Sequence, residues 1–120
     1  VPDIASDANP GTGVPVYDTY SYGGWVQVGG TSVATPDWGS FFTLVNSGRV
    51  AQGHNTLSMA DPDLYSLYSS NYATDFHDIT TGTNGSCGLD CEARTGYDLV
   101  TGIGTYQANN LYPAMVAMPN

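Results

Sequence analysis

Gly29-Gly30-Thr31-Ser32-Val33-Ala34-Thr35-Pro36 joins a short run of β-branched and aromatic residues, Trp25 to Val28, to an apolar helical repeat. Trp38, Phe41, Phe42 and Val45 fall at i, i+3, i+4 and i+7, one face of a 3.6-residue period. Pro36 lies in the expected first turn, where its missing N–H does little harm, and Asn46-Ser47-Gly48 is the expected stop. The segment is therefore a strand-to-helix turn with Ser32 near the helix start. Two readings of Ser32 stand side by side. A serine at this place caps a helix well. A nucleophile also suits it, because glycines let a substrate approach the backbone and the helix N-terminus offers N–H groups to a developing oxyanion. A nucleophilic serine further needs a general base within reach.

Upstream, Val1 to Ala5 reads as a short strand, and Asp7-Ala8-Asn9-Pro10-Gly11 is a turn cluster. Val14 to Tyr17 and Trp25 to Val28, with Ser21-Tyr22-Gly23-Gly24 between them, predict a hairpin. Downstream, Asp61 is the expected N-cap of a second helix, with Pro62 at its first position and Leu64, Leu67 and Tyr68 on its buried side. Asp78 to Gly104, dominated by Gly, Thr, Asn and Asp, reads as an organised loop region. A last helix is expected from about Tyr106 to Ala117, with Leu111 and Met115 inward and Pro113 bending or breaking it. No internal repeat or linker interrupts the 120 residues, which fit a single domain.

Arg49 and Arg94 are the only basic residues against eleven acidic ones, a formal net charge of -9. Such a surface cannot replace the counterions of a phosphate backbone, so nucleic acid and anionic membranes are excluded as partners. An acid-adapted extracellular protein or a binder of hard cations remains, and the two are compatible. No apolar run is long enough for a membrane span, and Val1-Pro2-Asp3 does not resemble a signal peptide. Cys87 and Cys91 are too few for a zinc site of their own. A local disulfide, pinning one turn, is preferred to two free thiols. Asn84-Gly85-Ser86 matches a glycosylation acceptor, a pattern too short to weigh much.

Gly-Thr-Ser-x-x-x-Pro over Gly30–Pro36 resembles the serine motif shared by subtilisins and sedolisins. The remaining blocks resemble sedolisins: Val1 to Ala5 with Asp7 to Val14; Ala60-Asp61-Pro62-Asp63-Leu64-Tyr65; Phe76 to Gly85; and Gly96 to Gly104. The resemblance covers nearly the whole chain in order. It implies the C-terminal part of a subtilisin-like α/β domain, with a parallel strand, a hairpin, a helix starting near the serine, and calcium loops. It makes Ser32 the catalytic nucleophile and calls for Ca²⁺ held by the side chains of Asp78 and Asp98 and the carbonyls of Ile79, Arg94 and Gly96. Arg94 departs from the glycine usual there, which the backbone tolerates only at angles a Cβ allows. From the residues alone, Asp78 and Asp98 serve equally as turn-capping aspartates; Asp90 and Glu92 are expected to be solvated.

Sedolisins pair the serine with a glutamate base, an orienting aspartate and an oxyanion aspartate, all well N-terminal of it. Here the only glutamate, Glu92, lies downstream, and Asp3 and Asp7 match the strand before the hairpin instead. The resemblance thus implies two alternatives. In one, the chain is the serine-bearing segment of a secreted acid-acting endopeptidase, incompetent alone and completed by the N-terminal part of the peptidase. In the other, it is a stand-alone calcium-binding structural or self-assembling subunit, partnered by copies of itself. Either leaves apolar surface for a partner, expected on the Trp38 helix and the Val1 strand.

Overall fold

The computed structural model describes all residues, Val1–Asn120. By contacts the chain divides into two compact units, Ser6–Ser40 and Val1–Ala5 with Phe41–Asn120, and one helix runs from the first into the second.

The Ser6–Ser40 unit holds the hairpin. β1 (Val14–Asp18) pairs antiparallel with β2 (Gly24–Val28), Val14 opposite Val28 and Asp18 opposite Gly24. Asp18 starts the turn by accepting the N–H groups of Tyr20 (2.7 Å) and Ser21 (3.2 Å) through Oδ1. Before the hairpin, Asp7 accepts the Thr12 hydroxyl at 2.6 Å and the Asn9 N–H at 2.9 Å. These two bonds, the hydroxyl first, hold its carboxyl below the usual range. α1 (Thr31–Ala51) follows.

The larger unit packs the end of α1 with α2 (Asp61–Asp75), β3 (Phe76–His77), β4 (Thr105–Tyr106) and α3 (Ala108–Val116). β3 pairs antiparallel with β4. Val45, Leu64, Ile103, Leu111 and Met115 are buried at its centre, and Phe41 stacks on Tyr106 with centroids 4.5 Å apart. Leu111 and Met115 face inward as expected, and Pro113 sits inside α3 without breaking it. Gln107 donates its N–H to Asp75 and its Nε2 to the Phe76 carbonyl, while Asn110 Nδ2 reaches the Thr74 carbonyl. The start of α3 is thereby tied to the end of α2.

Four local expectations need correction. Val1–Ala5 forms no strand. Ile103 donates to the Asp3 carbonyl and Ala5 to that of Gly104, so the segments run in the same direction. Three residues on one side face two on the other, and no ladder closes. α1 does not stop at Gly48; it reaches Ala51, and the N–H of Gly53 (φ 81°) bonds the Val50 carbonyl just beyond. A Cβ at Gly48 would lie 2.5 Å from the Tyr112 hydroxyl and 2.9 Å from Val116 Cγ2, so this glycine admits α3 instead of ending the helix. Asp61 is the first residue of α2, not its cap: Ala60 occupies the cap position with helical angles, and no side chain caps the helix. Finally, the apolar face of the Trp38 helix is covered, with Trp38, Phe41 and Val45 all buried. The exposed apolar side chains lie elsewhere, among them Val1, as expected, and Tyr17, Tyr20, Tyr22 and Trp25 on the hairpin.

No helix is long and apolar enough to cross a membrane. Cys87 and Cys91 form a disulfide that closes over the 3-10 turn Gly88–Cys91, and Asp90 and Glu92 are exposed as expected.

Candidate active site

Ser32 is the second residue of α1, so it is not the helix cap. The capping place belongs to Gly30, whose carbonyl accepts the N–H groups of Val33 (2.9 Å) and Ala34 (3.2 Å). The N–H groups of Thr31 and Ser32 precede the first intrahelical bonds, and the positive end of the helix dipole lies with them. Two glycines make this turn. Gly30 has φ 93°, a conformation that side chains resist, and a Cβ on Gly29 would run into the backbone of Pro10. The Gly30 N–H bonds the Ala8 carbonyl at 2.6 Å, which fixes the turn to the segment before the hairpin.

Ser32 is exposed and opens into a shallow groove of about 370 Å³ lined by Val14, Ser32, Val33, Pro36, Asp37 and Ser40. The groove contains no histidine and no glutamate. Its single carboxylate, Asp37, accepts the Ser6 hydroxyl at 2.6 Å. Chemically, the groove presents a hydroxyl, a helix N-terminus and an apolar wall, but no general base engaged with Ser32. Sequence reasoning missed Asp37 and Ser6; their only signal was Asp37 falling in the second turn of the serine helix.

The Asp78 and Asp98 loops come together in the larger unit. Asp78 Oδ2 accepts the Gly96 N–H at 2.8 Å, and Asp98 Oδ2 accepts the Arg94 N–H at 3.0 Å, so both carboxylates meet the Arg94–Gly96 segment. Asp98 is buried. Its Oδ1 accepts the N–H groups of Val100 and Thr101 at 2.8 Å and the Thr101 hydroxyl at 3.1 Å, the turn-capping geometry the residues alone allowed. Burial by itself would raise the Asp98 pKa. The bonds from Arg94, Thr101 and Val100 together outweigh it and hold the carboxyl low.

The loop backbone answers the question raised by Arg94. No residue other than glycine has positive φ, so Arg94 sits at angles open to a side chain, whereas Gly96, at φ 81°, requires glycine. Two bridges, Thr83 with Glu92 and Asp98 with Gly102, brace the region. No three His, Cys, Asp or Glu side chains gather anywhere in the chain. A cation at Asp78 and Asp98 would therefore draw most of its ligands from backbone carbonyls and water, as the oxygen chemistry of calcium permits. Two carboxylates meeting one segment are the oxygen donors such a hard cation would need.

Arg49 is the feature that the sequence made least visible. It is buried, and its guanidinium reaches only backbone carbonyls: Asn55 at 2.7 Å through Nε, Met115 at 3.0 Å, Met118 at 2.8 Å, and more distantly Val116 and Pro119. The signal was its place four residues beyond Val45, on the buried face of α1.

No family model matches the chain. Curated relatives do. A tripeptidyl-peptidase of Aspergillus fumigatus, sed1, is 39% identical over 74% of the chain. Physarolisin of Physarum polycephalum is 38% identical over 81%, and sedolisin of a Pseudomonas species 36% identical over 88%. The chain spans 13%, 18% and 16% of the length of these three relatives. Among solved structures, Pseudomonas sedolisin, a serine-carboxyl proteinase complexed with pseudo-iodotyrostatin, superposes with a TM-score of 0.78 at 34% identity, covering 94% of this chain and 28% of that one. That neighbour bears out the subtilisin-like α/β expectation, here represented by helices and small sheets. Identity that extends along the chain, together with a matching fold, makes it a member of the sedolisin family of serine-carboxyl peptidases.

Proposed function

We propose that this chain is the serine-bearing, calcium-binding segment of an acid-acting serine-carboxyl endopeptidase, with its carboxylate base supplied from outside the chain. The observation that carries the reading is the placement of Ser32. It lies at the N-terminal end of α1, exposed in an open groove, with the helix's first N–H groups beside it. Ser32 would attack the scissile carbonyl of a peptide, and those N–H groups would receive the negative charge on its oxygen. A glutamate base suits acid conditions because a histidine would be protonated there. The N-terminal part of the peptidase is the natural source of that glutamate and its aspartates.

The oxygen donors at Asp78 and Asp98, with the carbonyls of Ile79, Arg94 and Gly96, would hold Ca²⁺. Its part is structural: bound calcium neutralises two carboxylates and braces the loop. The disulfide and the deficit of basic residues support an extracellular setting.

One observation favours a second reading. The only carboxylate in the Ser32 groove is engaged by Ser6, so the isolated chain has no activation for its serine. As a stand-alone calcium-binding structural subunit, assembling with copies of itself, it would need none. Intact-mass analysis of the native protein separates the two. A second chain carrying the glutamate, with Ser32 trapped by a peptide aldehyde at about pH 4, where a carboxylate base is half ionised, supports the peptidase. A homopolymer in which Ser32 stays unlabelled overturns it.

A further inference from the structure

Val33, Pro36, Asp37 and Ser40 fall at i, i+3, i+4 and i+7 of α1, one stripe of its first turns. With Val14 of β1 they line the groove into which Ser32 opens, and all of them belong to the Ser6–Ser40 unit. Val14 and Pro36 are exposed and Val33 is half-buried, so the wall is an apolar surface open to a ligand. Asp37 is the one charged side chain on it. It is half-buried, and the Ser6 hydroxyl, donating to its Oδ2 at 2.6 Å, sets the direction of the carboxylate. Asp37 lies five residues along the helix from Ser32, a rise of about 8 Å. A long side chain beside a carbonyl held at Ser32 has that reach. The rest of the unit adds Asp7 and Asp18 and no lysine, arginine or histidine, so every formal charge in it is negative and its field favours a cation.

We propose that this groove receives a lysine or arginine side chain of the peptide, its aliphatic stem along Val14, Val33 and Pro36 and its charge at Asp37. Asp37 is then a specificity-determining residue, and the preferred cleavage lies beside a basic residue. This rests on the reading of Ser32 as a nucleophile. A wholly apolar occupant would strip water from the half-buried carboxylate and return nothing to it. An acidic occupant would be repelled. A basic side chain lays its methylenes on apolar surface while its head stays polar, so it satisfies the wall and the carboxylate together. Half open to water, such a pair changes binding by about 5-fold rather than by orders of magnitude.

The test is peptide cleavage by the complex of this chain with the glutamate-bearing part, at about pH 5, where most carboxylates are charged. Matched peptides carry lysine, or norleucine as a straight-chain isostere without the ammonium, on either side of the scissile bond. Their kcat/KM values are compared for the unsubstituted chain and Asp37→Asn. Asparagine keeps an oxygen for the Ser6 hydroxyl and removes the charge. The unsubstituted complex should prefer lysine about 5-fold at one of the two positions, and Asp37→Asn should bring that ratio to about 1. Added salt should shrink the preference. No preference for lysine, or a preference that survives Asp37→Asn, overturns the inference while leaving the peptidase standing. A substitution that slows both peptides equally, and so keeps the ratio, marks a merely structural Asp37 and overturns it as well. No cleavage of either peptide by the unsubstituted complex overturns both readings.

Discussion

Arg49→Met removes the guanidinium while keeping a long apolar stem in the same place. Three of the affected bonds are short, to Asn55, Met115 and Met118, and each joins a charged donor to a carbonyl. Hydrogen bonds to charged groups contribute about 1.5–3 kcal/mol each, so the gross loss is about 4–9 kcal/mol. Methionine does not incur the cost of burying a charge, which is several kcal/mol and offsets part of this loss. Carbonyls of the chain end recover some hydration when that segment loosens. The net expectation is a destabilisation of about 3 kcal/mol, a large share of the total stability of a domain this size. In urea, with a slope of about 1.5 kcal/mol/M, the midpoint should fall by about 2 M at constant slope. Arg49→Lys should lose somewhat less, since a single ammonium cannot span carbonyls that a planar fork reaches together. A midpoint shift under about 0.5 M for Arg49→Met would refute the claim that this side chain joins the end of α1 to the segment after α3.

Three further outcomes follow from the packing and the buried acids. Gly48→Ala should lower stability by about 1–3 kcal/mol in thermal melts, although helix propensity alone predicts a gain of about 1 kcal/mol; the methyl would meet Tyr112 and Val116, and a stabilised variant would contradict the close approach of α1 and α3. Asp75 is buried with Oδ2 unpartnered, and burial raises its pKa. Its protonated form is the one that suits the fold, so its favourable contribution holds below the unfolded pKa of about 3.9 and is lost as pH rises through the raised folded value. Asp75→Asn should therefore stabilise the protein at neutral pH and have little effect near pH 3, as read from melting at both; equal shifts at the two would contradict it. Asp98 has the opposite sign. Its depressed pKa gives stability present above about pH 3.9 and lost only as pH falls through the lower folded value, so Asp98→Asn should destabilise more at pH 6 than in strong acid.

Elements carried by local periodicity were legible from the residues. The hairpin lies where the two β-branched and aromatic runs and the glycine-bearing stretch between them placed it, and Leu64, Leu67, Leu111 and Met115 are buried as expected. The disulfide also followed from spacing and composition. Features decided by partners distant in sequence were not legible. Gly48 looked like a helix stop because nothing local reveals that α3 crosses there. Val1–Ala5 has strand composition, but its backbone bonds to Ile103 and Gly104 are out of step with a ladder. Asp61 looked like a cap, yet Ala60 already has helical angles. At the site, Ser32 and the two loop aspartates were found through motif and resemblance. The Ser6–Asp37 bond depends on side-chain directions that no spacing rule supplies.

The central claim is that Ser32 is a nucleophile whose base lies outside this chain. It is tested most directly by peptide cleavage at about pH 4, where a carboxylate base is effective, comparing Ser32 with Ser32→Ala in the isolated chain and in its complex with the glutamate-bearing part. The account predicts cleavage by the complex alone, lost on substitution. Cleavage by the isolated chain, or a complex as active with alanine as with serine, would contradict it.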